Sequence, residues 1–185
     1  MNLSQLFGSS RIVVRVESID DAGAGLRAAL AVGPKVRTIW LLFDPTSKDV
    51  VPWLESAKAA SPEQRGMMVQ SFFARVLGKA GYDIVVGREL DIFARCRFRS
   101  LFIEVKSSLA GGKFGSQADI SQLDGYLTPC QRNGATRWLG TMGIIKPMNL
   151  RDTFRAAIRH RNIGQIDIRW VSTKDTLLPH LQSVP

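Results

Sequence analysis

Three short apolar runs follow one another closely between Tyr82 and Lys106: YDIVV, LDIFA and LFIEVK. Each is rich in β-branched and aromatic residues, and only turn-length segments separate them, so they read as neighbouring strands. A helix signal stands before them. Ser61-Pro62-Glu63 offers a capping hydroxyl, a proline at the first helical position and an acid at the positive end of the dipole. Met67, Met68, Phe72, Val76 and Leu77 then recur at helical spacing, and Gly81 closes the helix. Beyond the strands, Gly111, Gly112 and Gly115 suggest a flexible loop, and residues 116–127 a helix. Residues 136–145 read as a strand, Asn149 as the cap of a helix reaching about His160, and QIDIRWV from Gln165 as a last strand. Helices alternating with strands in this order imply an α/β protein with a mixed central sheet flanked by helices.

Upstream, RIVVRVE from Arg11 and VRTIWLLF from Val36 are strand candidates, with a helix from Asp20 or Asp21 to Ala31 between them. They carry no catalytic motif and are expected to form an edge or an accessory layer. Residues 1–60 therefore read as a β/α extension packed on a core of residues 61–185, the whole forming one globular unit. The chain's 185 residues suffice for one substantial hydrophobic core.

Charge narrows the partners. Lys and Arg number 25 against 16 Asp and Glu, a formal net charge of +9. Such a surface attracts polyanions by counterion release. Nucleic acid is the leading partner, and an anionic membrane surface the second. The two cysteines, Cys96 and Cys130, form no metal-binding pattern and are expected as free thiols in a reducing, cytoplasmic setting. Met1 to Ser10 lacks the form of a secretory signal, and no apolar run approaches the length of a membrane span.

The chemistry concentrates in two strands. In LFIEVK, Glu104 and Lys106 are two apart and project from the same sheet face, while Ile103 and Val105 point the other way. Asp91, on the preceding strand, can lie opposite Glu104. Two carboxylates at close range repel unless a cation sits between them. Hard oxygen ligands without Cys or clustered His favour Mg²⁺ or Mn²⁺. Such an ion contacts a phosphate oxygen and lowers the pKa of bound water. Lys106 can orient or deprotonate the attacking water and stabilise developing charge, and the Val105 carbonyl can add a metal ligand.

An Asp, a gap and then Glu-x-Lys on a hydrophobic strand resembles the PD-(D/E)XK (restriction-endonuclease-like) nuclease superfamily. The surroundings match: a helix running from Gly66 to Gln70, the Gly81-Tyr82 turn, and Ser121-Gln122-Leu123-Asp124-Gly125-Tyr126 behind the strands. The resemblance covers roughly residues 61–145. It implies a nuclease core with Mg²⁺ as cofactor, Asp91 and Glu104 as metal ligands and Lys106 as the catalytic lysine. Gln122, with Gln117 as second choice, would contact substrate or water near the metal. Two departures stand out. Gln70 occupies the helix position that the family often fills with glutamate, and the family's proline before the aspartate is missing. Glu89, two residues before Asp91, can share its face as an auxiliary acid.

Glu-x-Lys alone is usually a local charge pair on an exposed strand. The apolar neighbours Leu101, Phe102, Ile103 and Val105 make this strand central, where charges need a reason. Lys113, Arg159 and Arg161 are candidate phosphate contacts, although cations such as Arg159 and His160 also suit a helix C-terminus. Trp40, Trp53, Trp138 and Trp170 are scattered and read as core rather than base-stacking platforms. The implied activity is metal-dependent endonuclease cleavage of nucleic acid, DNA above all, with a homodimer left open. The alternatives are a catalytically silent nucleic-acid-binding module of the same fold, and an unrelated domain with a fortuitous ion pair.

Overall fold

The computed structural model describes residues 11–33, 36–87, 91–97 and 99–171. Seven strands form one mixed sheet. In chain order they are β1 (Arg11–Val16), β2 (Thr38–Phe43), β3 (Asp83–Val86), β4 (Ile92–Cys96), β5 (Arg99–Ser108), β7 (Ala135–Gly143) and β9 (Gly164–Trp170), and across the sheet β1-β2-β9-β7-β5-β4-β3. β5, β7, β9, β2 and β1 run parallel, and β3 and β4 add antiparallel at one edge. This is the mixed central sheet flanked by helices that the element order implies. The two upstream strands extend the same sheet, with β1 at its other edge.

One sheet face packs on α1 (Ile19–Ala31), α2 (Val51–Ala59) and α3 (Pro62–Lys79). Here Leu26, Ile39, Leu41, Phe72, Phe73, Leu77, Ile103, Ile166 and Ile168 are buried. Removing one such side chain from water is worth about 2–3 kcal/mol. The other face is covered in part by α4 (Gln117–Gly125) and α6 (Asp152–His160), through a smaller cluster of Leu123, Leu139, Leu150, Phe154, Ile158 and Ile163. That second, thinner layer leaves room for polar side chains on the sheet.

α3 opens as its sequence predicts. The Ser61 side chain accepts from the Gln64 N–H, and the Gln64 side chain accepts from the Ser61 N–H. Gly81 ends the helix with φ +89°, a conformation that strongly favours glycine.

Several local expectations are corrected. The stretch after Asp44-Pro45 contains α2, for which no helix was expected; Pro52 lies in its first turn, where proline fits. Pro129 sits likewise in the first turn of α5 (Leu127–Arg132), so helical structure continues past residue 127. The glycine-rich segment is not simply a loop. β6 (Gly112–Phe114) pairs in parallel with β8 (Met148–Leu150), and Asn149 lies in β8 rather than capping α6. Gly115 follows β6 at φ +111°, and a Cβ there would run into the Phe154 ring. Close packing therefore requires this glycine.

Candidate active site

The ladder between β4 and β5 ends at the pair Ile92 and Ile103. One step further, Asp91 faces Glu104. Asp91 thus sits just before β4 rather than within the strand expected over LDIFA. Its Oδ2 accepts the Val105 N–H at 2.7 Å, and its carboxyl lies within hydrogen-bonding reach of Glu104. Burial pushes the Asp91 carboxyl above the ordinary carboxylate range, and Glu104 adds to that. The Val105 N–H and the Lys106 amine pull the other way.

Glu104 is 2% exposed, a rare state for a carboxylate. Both its oxygens are satisfied. Oε1 meets the Lys106 ammonium at 2.7 Å, and Oε2 accepts the Tyr126 hydroxyl at 2.7 Å. Lys106 Nζ also donates to Gln122 Oε1 at 2.9 Å, and Gln122 Nε2 donates to the Tyr126 oxygen at 3.2 Å. Glu104, Lys106, Gln122 and Tyr126 therefore close a ring of polar contacts between β5 and α4. Burial first, then Glu104, raises the Tyr126 pKa above the ordinary phenol range. Asp119 stands 3.8 Å from the Lys106 amine. The opposite side of the site is fixed by α3, where Gln70 Nε2 donates to the Asp91 backbone carbonyl at 2.6 Å and lies 3.5 Å from Oδ1.

The structure thus brings Asp91, Glu104, Lys106, Gln122 and Gln70 together. Ile103 and Val105 turn toward the opposite, apolar face as alternation requires. Gln117 opens α4 and is exposed. It lies five residues before Gln122, about 140° away around the helix. Glu89 lies outside the described residues. Lys113 is exposed on β6, and Arg159 is exposed on α6. Arg161 is held by Asp124, at 2.7 and 2.9 Å. Sequence reasoning did not assign Tyr126 or Asp119 to the site. Tyr126 carried a signal, its i,i+4 spacing from Gln122. Asp119 carried no such signal; in the structure it caps α4 with Ser116.

The donor set suits a hard divalent cation. Mg²⁺ keeps several waters and takes one or two carboxylates. Asp91 and Glu104 supply two. A strand residue's N–H and C=O point to the same edge, so the Val105 carbonyl faces the Asp91 side. Among the described residues no group of three or more His, Cys, Asp and Glu side chains gathers to hold a metal, so the pair would rely on that carbonyl and water. No helix among the described residues is long and apolar enough to cross a membrane.

The chain matches no family model and no curated protein. Among solved structures it is similar to SfsA of Pyrococcus furiosus, determined in complex with Ca²⁺, with 17% identity and a TM-score of 0.35. The match covers 56% of this chain and 55% of that one, so it spans about half of each.

Proposed function

We propose that this chain is a metal-dependent nuclease of the PD-(D/E)XK type, hydrolysing phosphodiester bonds in DNA. The observation that carries the reading is the meeting of Asp91, Glu104 and Lys106 along the second half of β5, with one of the carboxylates almost fully buried. Burying a carboxylate is costly and needs compensation, and a cation-binding site gives these charges a use. Asp91, Glu104 and the Val105 carbonyl would hold Mg²⁺ or Mn²⁺. Once bound, the ion polarises a phosphate oxygen and acidifies water. Lys106 contributes positive charge beside the scissile phosphate and orients the nucleophile. Gln122 fixes the Lys106 amine, and Tyr126 fixes the second oxygen of Glu104.

The test is incubation with plasmid DNA in Mg²⁺ or Mn²⁺, beside Lys106→Ala and Glu104→Ala. The parent cuts and both variants lose cleavage. In chelator, Glu104→Ala binds DNA at least as well as the parent, because a carboxylate that repels the backbone is gone. Parent-level cleavage by Glu104→Ala would show that this carboxylate is structural. A second reading, a catalytically silent binding module, draws on one observation: both Glu104 oxygens are already satisfied within the chain. A parent protein that binds DNA in chelator yet leaves it intact with either metal would favour it.

A further inference from the structure

Arg11, Trp40 and Arg169 share a sheet face with Glu104 and Lys106 but lie toward the β1 edge. Strand register aligns Lys106, Thr141, Asp167 and Trp40 in one row across β5, β7, β9 and β2. Three strand spacings put Trp40 about 14 Å from Lys106. The Arg11 guanidinium lies 4.0 Å from the Trp40 ring centroid, and that of Arg169 3.9 Å. Arg11 pairs with Thr38 and Arg169 with Leu42, so the two reach the ring from opposite ends of the β2 strand. Trp40 therefore supports two cations rather than offering a stacking platform for a base.

α6 adds to the charge. Arg151, Arg155 and Arg159 are exposed at four-residue intervals, which keeps them on one side of the helix. Arg155 sits on the helix that packs over this same sheet face, through Phe154 and Ile158, and its charge bears on Arg11. Burial first, then Arg169 and Arg155, holds the Arg11 guanidinium below its ordinary pKa. Asp167 offsets part of this charge, but it is fully buried and engaged by Arg169 and Thr141. Among the described residues the three arginines outweigh Asp167, an arrangement that suits a polyanion.

We infer that Arg11, Arg155 and Arg169 form an anchor for backbone phosphates, separate from the acidic pair and indifferent to base sequence. Guanidinium forks match phosphate oxygens in geometry and charge, and Trp40 orders two of the three in advance. The inference rests on nucleic acid being the substrate.

The test is fluorescence anisotropy in chelator, with short labelled duplexes of two unrelated sequences over a range of salt. Arg11→Glu and Arg155→Glu each weaken binding of both duplexes by roughly tenfold or more at low salt and reduce the salt slope by about one. Arg75→Glu, an equal charge change at an exposed position of α3 on the far face, has an effect several times smaller. Arg155→Gln, a milder change on the same exposed helix, moves affinity in the same direction with circular dichroism unchanged. Equal weakening by Arg75→Glu would overturn the anchor, and loss confined to one duplex would overturn its indifference to sequence. A parent protein that binds neither duplex at low salt would instead overturn the nucleic-acid reading beneath it.

Discussion

The Tyr126 hydroxyl donates a 2.7 Å hydrogen bond to Oε2 of Glu104, joining the end of α4 to the middle of β5. It is a charge-assisted contact on a buried carboxylate, and hydrogen bonds of that kind contribute about 1.5–3 kcal/mol. Tyr126→Phe is therefore expected to lower stability in urea unfolding by about 2 kcal/mol, with the far-ultraviolet spectrum preserved. It should also reduce metal-dependent cleavage, because Glu104 loses the group that holds its Oε2 in place. A variant as stable as the parent would mean that water replaces the hydroxyl at no cost.

Gln70 presents an amide to Asp91 where an acid would add a hard ligand. Gln70→Glu brings a third carboxylate against the pair. Without metal it should lower the thermal midpoint through like-charge repulsion. With Mg²⁺ the change should reverse, because binding to the folded state stabilises it by mass action. Thermal unfolding over a Mg²⁺ titration separates the two. A midpoint that rises no more with Mg²⁺ than the parent's would show that this position lies outside the ion's reach.

Arg169 neutralises Asp167, a carboxyl that burial holds above its ordinary pKa. A group with a raised folded-state pKa contributes stability that is full below its unfolded pKa and is lost as pH rises through the folded one. Arg169 offsets that loss when the carboxyl is ionised. Arg169→Gln should therefore cost about 3–5 kcal/mol near neutral pH, the usual penalty of a buried charge left without its partner. It should cost less in acid, where Asp167 takes up a proton. Denaturant unfolding at both pH values checks this, and an equal loss at both would show that the pair's charge does not matter.

Much of this protein was legible in the residues alone. Periodicity placed Glu104 and Lys106 on one side of β5 and Ile103 and Val105 on the other, because strand alternation is a property of the backbone. Ser61-Pro62-Glu63 marked the start of α3 and Gly81 its end for equally local reasons: a side-chain cap and a positive φ. The order of helices and strands was enough to imply a mixed, helix-flanked sheet.

What the tertiary structure decided depends on register and packing. The pairing of Ile92 with Ile103 sets Asp91 against Glu104, and a one-residue slip would send the aspartate to the opposite face. The polar ring through Tyr126 needs α4 docked over β5, which no local signal specifies. Asn149 lies in β8, and Gly115 yields space to Phe154, because two distant segments pair there. Arg11, Trp40 and Arg169 come from three separate strands, and only the sheet order β1-β2-β9 makes them neighbours. Local sequence fixes backbone conformation and which side a residue faces, whereas contacts between residues far apart in the chain depend on how whole elements bury their apolar faces together.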